Sequence, residues 1–209
     1  MFTAGVLTCA VGIAFITRAG LGTSPISSAP FVLSLITPLS MGVYTLSFNM
    51  LFLVCEALLR RRFTWRQALQ IPATLIFSAC IDASLSIIPT QYGGPYPLSL
   101  LYLAAGCVIM GLGVSLEVMA DVIMLPGEAL VRALSQRYGI EFGNVKICFD
   151  SSLTAVALVV ALLAFHRLNG VREGTLVSAF AVGQLVKLFT RRLGRLKSVW
   201  LGESSTARA

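Results

Sequence analysis

Apolar residues fill this chain in long blocks, and the polar or helix-breaking residues between them set out its elements. A membrane-crossing helix needs ~20 apolar residues, with a range of ~17–25. Six blocks meet or approach that length: 2–17, closed by Arg18; 42–59, closed by Arg60, Arg61 and Arg62; 67–89, entered after Trp65 and Arg66; 98–119; 144–165; and 174–193, with Arg195 and Lys197 beyond it. The uncharged turn Gly93-Gly94-Pro95 separates the third from the fourth. Residues 202–209 are polar and are expected to be disordered.

Two further apolar segments do not fit as full spans. Residues 25–37 and 126–138 have about 13 residues each, or ~20 Å of helix at ~1.5 Å per residue against a ~30 Å hydrocarbon core. The first follows the break Gly20-Leu21-Gly22-Thr23-Ser24-Pro25, and the second starts at Met124-Leu125-Pro126-Gly127-Glu128 and also carries Arg132 and Arg137. Both are expected to be half-helices that enter and return, or the second part of a broken span. Such backbone is tolerated in a membrane only where protein or a water-filled cavity covers it.

The two interruptions are copies of each other. A shift of 101 positions carries Gly12, Ala19, Pro25, Leu33, Ser34, Gly42 and Phe48 onto Gly113, Ala120, Pro126, Leu134, Ser135, Gly143 and Phe149 without a gap, and Asn49 onto Asp150. An internal duplication follows. The chain divides into a first repeat over 1–97 and a second over 98–201, each with three spans and one half-helix after its first span. Three is odd, so the two repeats are expected to be inverted in the membrane.

Composition agrees: 56% of the 209 residues are hydrophobic and 12% charged, and the mean hydropathy is +0.85. The net charge of +7 gathers at the ends of apolar blocks, which reads as membrane topology and not as nucleic-acid binding. With both termini in the cytoplasm, Arg60, Arg61, Arg62, Arg66, Arg132, Arg137, Lys146, Arg191, Arg192, Arg195 and Lys197 all face inward, and only Arg18, Arg167 and Arg172 face out. The first block lacks the basic stretch and cleavage site of a signal peptide and reads as a retained helix. Its abrupt start leaves room for basic residues ahead of Met1. Cys9, Cys55, Cys80, Cys107 and Cys148 lie in or beside apolar blocks without metal-like spacing, so they read as core residues.

The half-helix starts are the first candidates for chemistry. Pro25 and Pro126 suit the first helical position, with Thr23 or Ser24 as a cap. A helix start near the midplane offers unpaired N–H groups and a positive dipole end. Gly20 and Gly22 would let backbone approach a solute, and Ser27 and Ser28 add donors. Glu128 sits in the first turn of the second copy and offsets its dipole. Ionisable residues inside spans come next: Asp82, Glu117, Asp150, Glu56 and Lys187, with Lys146 and Asp150 spaced to pair on one helix face. Glu56, Glu117 and Lys187 lie near span ends, where snorkelling is the plainer reading. Glu173 and Thr175 read as a cap for the last span, and His166 as a lone interfacial side chain. No catalytic triad order, phosphate loop or dinucleotide fingerprint occurs, and nothing points to an enzyme or a cofactor.

At Leu125-Pro126-Gly127-Glu128, Phe142-Gly143-Asn144-Val145-Lys146-Ile147-Cys148-Phe149-Asp150 and Gly170-Val171-Arg172-Glu173-Gly174-Thr175, the chain resembles the YczE-like branch of the YczE/YitT-like bacterial inner-membrane proteins. Ala19-Gly20-Leu21-Gly22 and Pro25 fit the same pattern. The resemblance implies a bacterial inner-membrane location and points to Glu128, Lys146, Asp150, Arg172, Glu173 and Thr175. It implies no settled substrate. A vitamin B6-type compound is a lead, because some relatives are encoded beside regulators that bind pyridoxal phosphate.

The expected fold is an all-α integral membrane protein of six spans in two inverted three-helix repeats. The expected function is a transporter or facilitator of a small polar solute, an anionic or vitamin-like one among the options. A channel with a fixed filter, and a scaffold or substrate-binding subunit of a larger transporter, are the alternatives. Gly22, Ser24, Pro25, Ser27, Asn49, Pro126, Gly127, Glu128 and Asp150 are the expected solute-binding residues. Asp82, Glu117, Lys146, Asp150 and Lys187 are the expected ion- or proton-coupling ones. The partners are the lipid bilayer and the solute. Gly106, Gly111 and Gly113 leave homodimerisation open.

Overall fold

A computed structural model describes residues 1–91, 93–120, 123–165 and 172–200. Within them the chain forms eight helices: α1 (Phe2–Arg18), α2 (Pro25–Ile36), α3 (Met41–Arg60), α4 (Trp65–Ile87), α5 (Tyr96–Ala120), α6 (Pro126–Tyr138), α7 (Phe142–Phe165) and α8 (Glu173–Trp200). Asp121, His166, Gly170, Val171 and the polar tail lie outside the described residues.

The helix ends follow local chemistry. Pro25 and Pro126 open α2 and α6, where the missing N–H costs nothing. Ser40 caps α3, accepting from Val43 N, and Gln67 Oε1 accepts from Thr64 N at 2.8 Å to hold the start of α4. Gly139 closes α6 in the left-handed conformation, φ 66°. The last helix differs from the reading of the sequence: α8 continues past residue 193 to Trp200. Arginine and lysine end an apolar block without breaking a helix, and no proline follows them.

Helices α3, α4, α5 and the stretch Gly143–Phe165 of α7 are long and apolar enough to cross a membrane, with mean hydropathies of 1.6, 1.5, 2.0 and 2.2. α1 and α2 are shorter apolar helices of 17 and 12 residues. Large apolar side chains such as Leu51, Leu75, Leu101 and Leu163 point outward, as a lipid-facing surface requires. The protein is a multi-pass membrane protein.

α1 lies at the centre, packed on α4 and, most heavily, on α5. Small residues bring α1 and α5 together. A Cβ on Gly12 would lie 2.6 Å from Met110 N, one on Gly113 2.6 Å from Cys9 N, one on Gly106 2.7 Å from Ile16 Cγ1, and one on Gly5 2.8 Å from Glu117 Cγ. Contact partners on α5 fall in number as those on α1 rise, so the two helices run antiparallel. Close backbone approach through glycine is a main source of helix association in lipid, where burying apolar surface gains little. Gly111 meets Leu185 of α8, so all three glycines of α5 serve packing within the chain.

Candidate functional site

The short helices α2 and α6 meet at their first turns. A Cβ on Gly127, second residue of α6, would lie 2.5 Å from Ile26 Cδ1, second residue of α2. Beside this junction is a small cavity of about 50 Å³, walled by Cys9 and Ile13 of α1, Ser27 and Pro30 of α2, Thr45, Asn49 and Phe52 of α3, Met110, Val114 and Glu117 of α5, and Glu128 of α6. Of the residues expected to bind solute or couple ions, the fold thus brings Ser27, Asn49, Gly127, Glu128 and Glu117 to one space.

Glu117 dominates the chemistry of that space. The residue is 2% exposed, and its Oε1 has no hydrogen-bond partner. Gly5 leaves the room its side chain occupies. An unsatisfied buried polar group costs about 1–3 kcal/mol, more when charged, so an orphaned carboxyl oxygen at a cavity marks a place for a donor or a cation. Snorkelling does not describe Glu117, since its carboxyl is buried. Glu128 is the second carboxylate at the wall, and no lysine, arginine or histidine joins them there among the described residues. One turn into α7, Lys146 pairs with Asp150 at 3.1 Å and lies within electrostatic reach of Glu128.

The 101-residue shift exposes an imbalance. Ser27, Thr45 and Asn49 in the first half occupy the positions of Glu128, Lys146 and Asp150 in the second. The neutral set closes on itself, with Asn49 Nδ2 donating to Thr45 O at 2.9 Å and Thr45 Oγ1 to Met41 O at 2.8 Å. Of the charged set only Glu128 reaches the cavity wall, while Lys146 and Asp150 pair with each other on α7.

Other expectations are corrected. Gly20 and Gly22 make room for protein: with φ of 73° and 119°, they let the loop lie against the start of α8. Gly174 N donates to Leu21 O at 2.8 Å, Thr23 N to Thr175 Oγ1 at 3.3 Å, and Arg172 to Gly20 O at 3.3 Å. A Cβ on Gly22 would lie 2.5 Å from Thr175 Oγ1. Thr175 therefore holds this loop as well as standing in the first turn of α8. Ser24 occupies the cap position of α2, but its side chain makes no capping bond and its hydroxyl is buried without a partner, while Thr23 Oγ1 is taken by Thr17 Oγ1 at 2.7 Å. Asp82 is a structural cap, accepting from Gly42 N at 2.7 Å and Ser40 Oγ at 2.5 Å at the start of α3. It borders, with Arg18, an open cleft of about 430 Å³ at the other end of the helices. Lys187 is exposed on α8 and reaches neither space. Glu56 is buried and ion-paired with Arg60 at 2.8 Å.

Gln67, Gln70, Thr74 and Ser78 of α4 are all buried and, being uncharged, do not stand out along the chain. Their spacing of three and four residues along an apolar helix was the available signal.

The chain is similar to the uncharacterized protein YyaS of Bacillus subtilis (strain 168), at 26% identity over 189 residues that cover 88% of each protein. No solved structure matches it. The family model described as a family of unknown function, DUF6198, matches residues 1–191, spanning the α1–α5 crossing, both half-helix starts and the cavity between them. The chain belongs to the DUF6198 family.

Proposed function

We propose that this protein is a carrier or facilitator for a small polar solute, with its site where the two half-helix starts meet. The observation that carries the reading is the cavity at that junction, into which Glu117 brings a carboxyl oxygen without a partner. A membrane-embedded ionisable residue is a functional candidate by default.

Two inverted repeats, 1–97 and 98–201, each contributing three of six spans, are part of the proposal. The antiparallel crossing of α1 and α5 supports it, because the repeat shift carries the contact of Gly5 with Glu117 onto that of Gly106 with Ile16, and that of Gly12 with Met110 onto that of Gly113 with Cys9. The packing of α1 on α4 corresponds to α5 on α8, α2 on α7 to α6 on α3, and α2 on α3 to α6 on α7. The packing of α3 on α4 has no counterpart of similar extent between α7 and α8 among the described residues. Six spans with both termini in the cytoplasm of a bacterial inner membrane follow from the charge distribution, and the YczE-like resemblance belongs to the same reading.

The solute class shifts from the expectation. Two carboxylates and, among the described residues, no basic side chain at the cavity wall favour a cation, a protonated amine or a proton over an anion. A volume of about 50 Å³ holds a few waters at ~10–15 Å³ each and no vitamin-sized molecule, so loading a larger solute requires the helices to part. The test is uptake of labelled small amines and monovalent cations into proteoliposomes, with a pH-sensitive dye inside. Saturable uptake or proton movement, lost in Glu117→Gln and kept in Lys187→Gln, is the expected result. Flux unaffected by Glu117→Gln, or no movement of any probe, overturns it, and flux without saturation points to a fixed pore.

A further inference from the structure

α4 buries a polar face that the cavity wall leaves unused. Gln67, Gln70, Thr74 and Ser78 are buried, and each keeps one polar side-chain atom without a partner: Gln67 Nε2, Gln70 Oε1, Thr74 Oγ1 and Ser78 Oγ. Inverted amides do not account for this. Gln67 Oε1 accepts from Thr64 N at 2.8 Å, and Gln70 Nε2 donates to Glu56 Oε2 at 3.5 Å. Turning either amide over would set donor against donor or acceptor against acceptor.

This face is turned towards α3. The carbonyl of Ser78 lies against Gly42 and the amide of Gln70 against Glu56. Between those contacts on α3 stand Thr45 and Asn49, both buried and both in the cavity wall. Hydrocarbon cannot satisfy four orphaned polar atoms in a row, whereas water can, since polar protein groups lie on both sides.

We infer that the seam between α3 and α4 is a water-filled lane joining the central cavity to the membrane face marked by Arg60, Arg61, Arg62 and Arg66. Glu56, held by Arg60, stands at its mouth. At the far end Asp82 closes it by engaging Ser40 and the start of α3. The lane gives water, and protons carried on water, a route to the carboxyl of Glu117 from one side of the membrane.

Cysteine accessibility tests it without any transport assay. A thiolate, which forms only where water solvates it, attacks the sulfenyl sulfur of a methanethiosulfonate reagent, forming a mixed disulfide and expelling methanesulfinate. In protein whose five native cysteines have been replaced, Thr74→Cys and Ser78→Cys, nearly isosteric changes, are compared with Leu75→Cys on the outward, lipid-facing side of the same helix. Labelling of the two seam positions roughly tenfold or more faster than Leu75→Cys is expected. Equal or slower labelling at both overturns the lane. If the cysteine-free protein does not fold, Thr74→Val in the unaltered background decides. A dry orphaned hydroxyl replaced by methyl raises the melting temperature, while a hydrated one leaves it unchanged or lower. A rise overturns the lane. A labelled seam in a protein that moves no solute keeps the lane and removes the carrier reading.

Discussion

Substituting Gly12 by alanine tests whether the α1–α5 crossing holds the molecule together. In an unconstrained helix this change gains up to about 1 kcal/mol, because glycine pays more backbone entropy. At Gly12 the new Cβ would stand 2.6 Å from Met110 N and 2.7 Å from Met110 Cα. Both are backbone atoms of a long helix and cannot turn aside as a side-chain tip could. The helices must separate by most of an ångström to reach ordinary contact, and a gap of ~0.5–1 Å forfeits a quarter to a half of each local dispersion contact. Overpacking of this kind costs about 1–3 kcal/mol, which outweighs the propensity gain. The expected net loss is on the order of 1–2 kcal/mol. Gly183→Ala is the internal control: that glycine is helical and a Cβ there meets nothing within 4 Å, so only the propensity gain remains. Thermal unfolding in detergent, followed by circular dichroism, should place Gly12→Ala below the unaltered protein and Gly183→Ala at or above it. Gly12→Ala as stable as Gly183→Ala would refute the close crossing.

Three further changes have definite outcomes. Gly22→Ala sets a side chain at φ 119° against Thr175 Oγ1 and should destabilise by about 1–3 kcal/mol, with Thr175→Ser retaining the contact and remaining near normal by the same melt. Asp82→Ala should cost about 0.5–2 kcal/mol as a lost helix cap, seen in thermal unfolding, while solute flux in proteoliposomes is retained. Lys146→Met should leave Asp150 without its ion-pair partner and lower the melting temperature more than Lys146→Met combined with Asp150→Leu, since removing both partners avoids a stranded charge.

The elements were legible in the sequence because block length and helix breakers are local properties. Pro25 and Pro126 mark the starts of α2 and α6 to the residue. The meeting of those starts at one cavity followed from the copy relation between them. What stayed hidden is tertiary. Nothing near Gly22 in the chain indicates that its open side is filled by Thr175, 152 residues beyond Thr23, which shares that contact. Asp82 looked exceptional as a short acidic side chain in an apolar block, but its partner is the start of a neighbouring helix. Gln67, Gln70, Thr74 and Ser78 were overlooked because they carry no charge and interrupt no apolar block, although burial makes uncharged polar groups as consequential as ions in lipid.

The loop that leads into α2 has a consequence for how the protein is made. Its contacts reach Arg172, Gly174 and Thr175, near the end of the chain, while α2 itself packs on α7. A nascent chain emerges from its N-terminus at ~5–20 residues per second, so α1, α3 and α4 are in place well before this loop's partners at the start of α8 exist. The entry loop of α2 must wait without this clasp until the start of α8 is synthesised. Any product cut short before Arg172 would therefore insert its apolar helices and still lack the clasp on the loop that leads into α2.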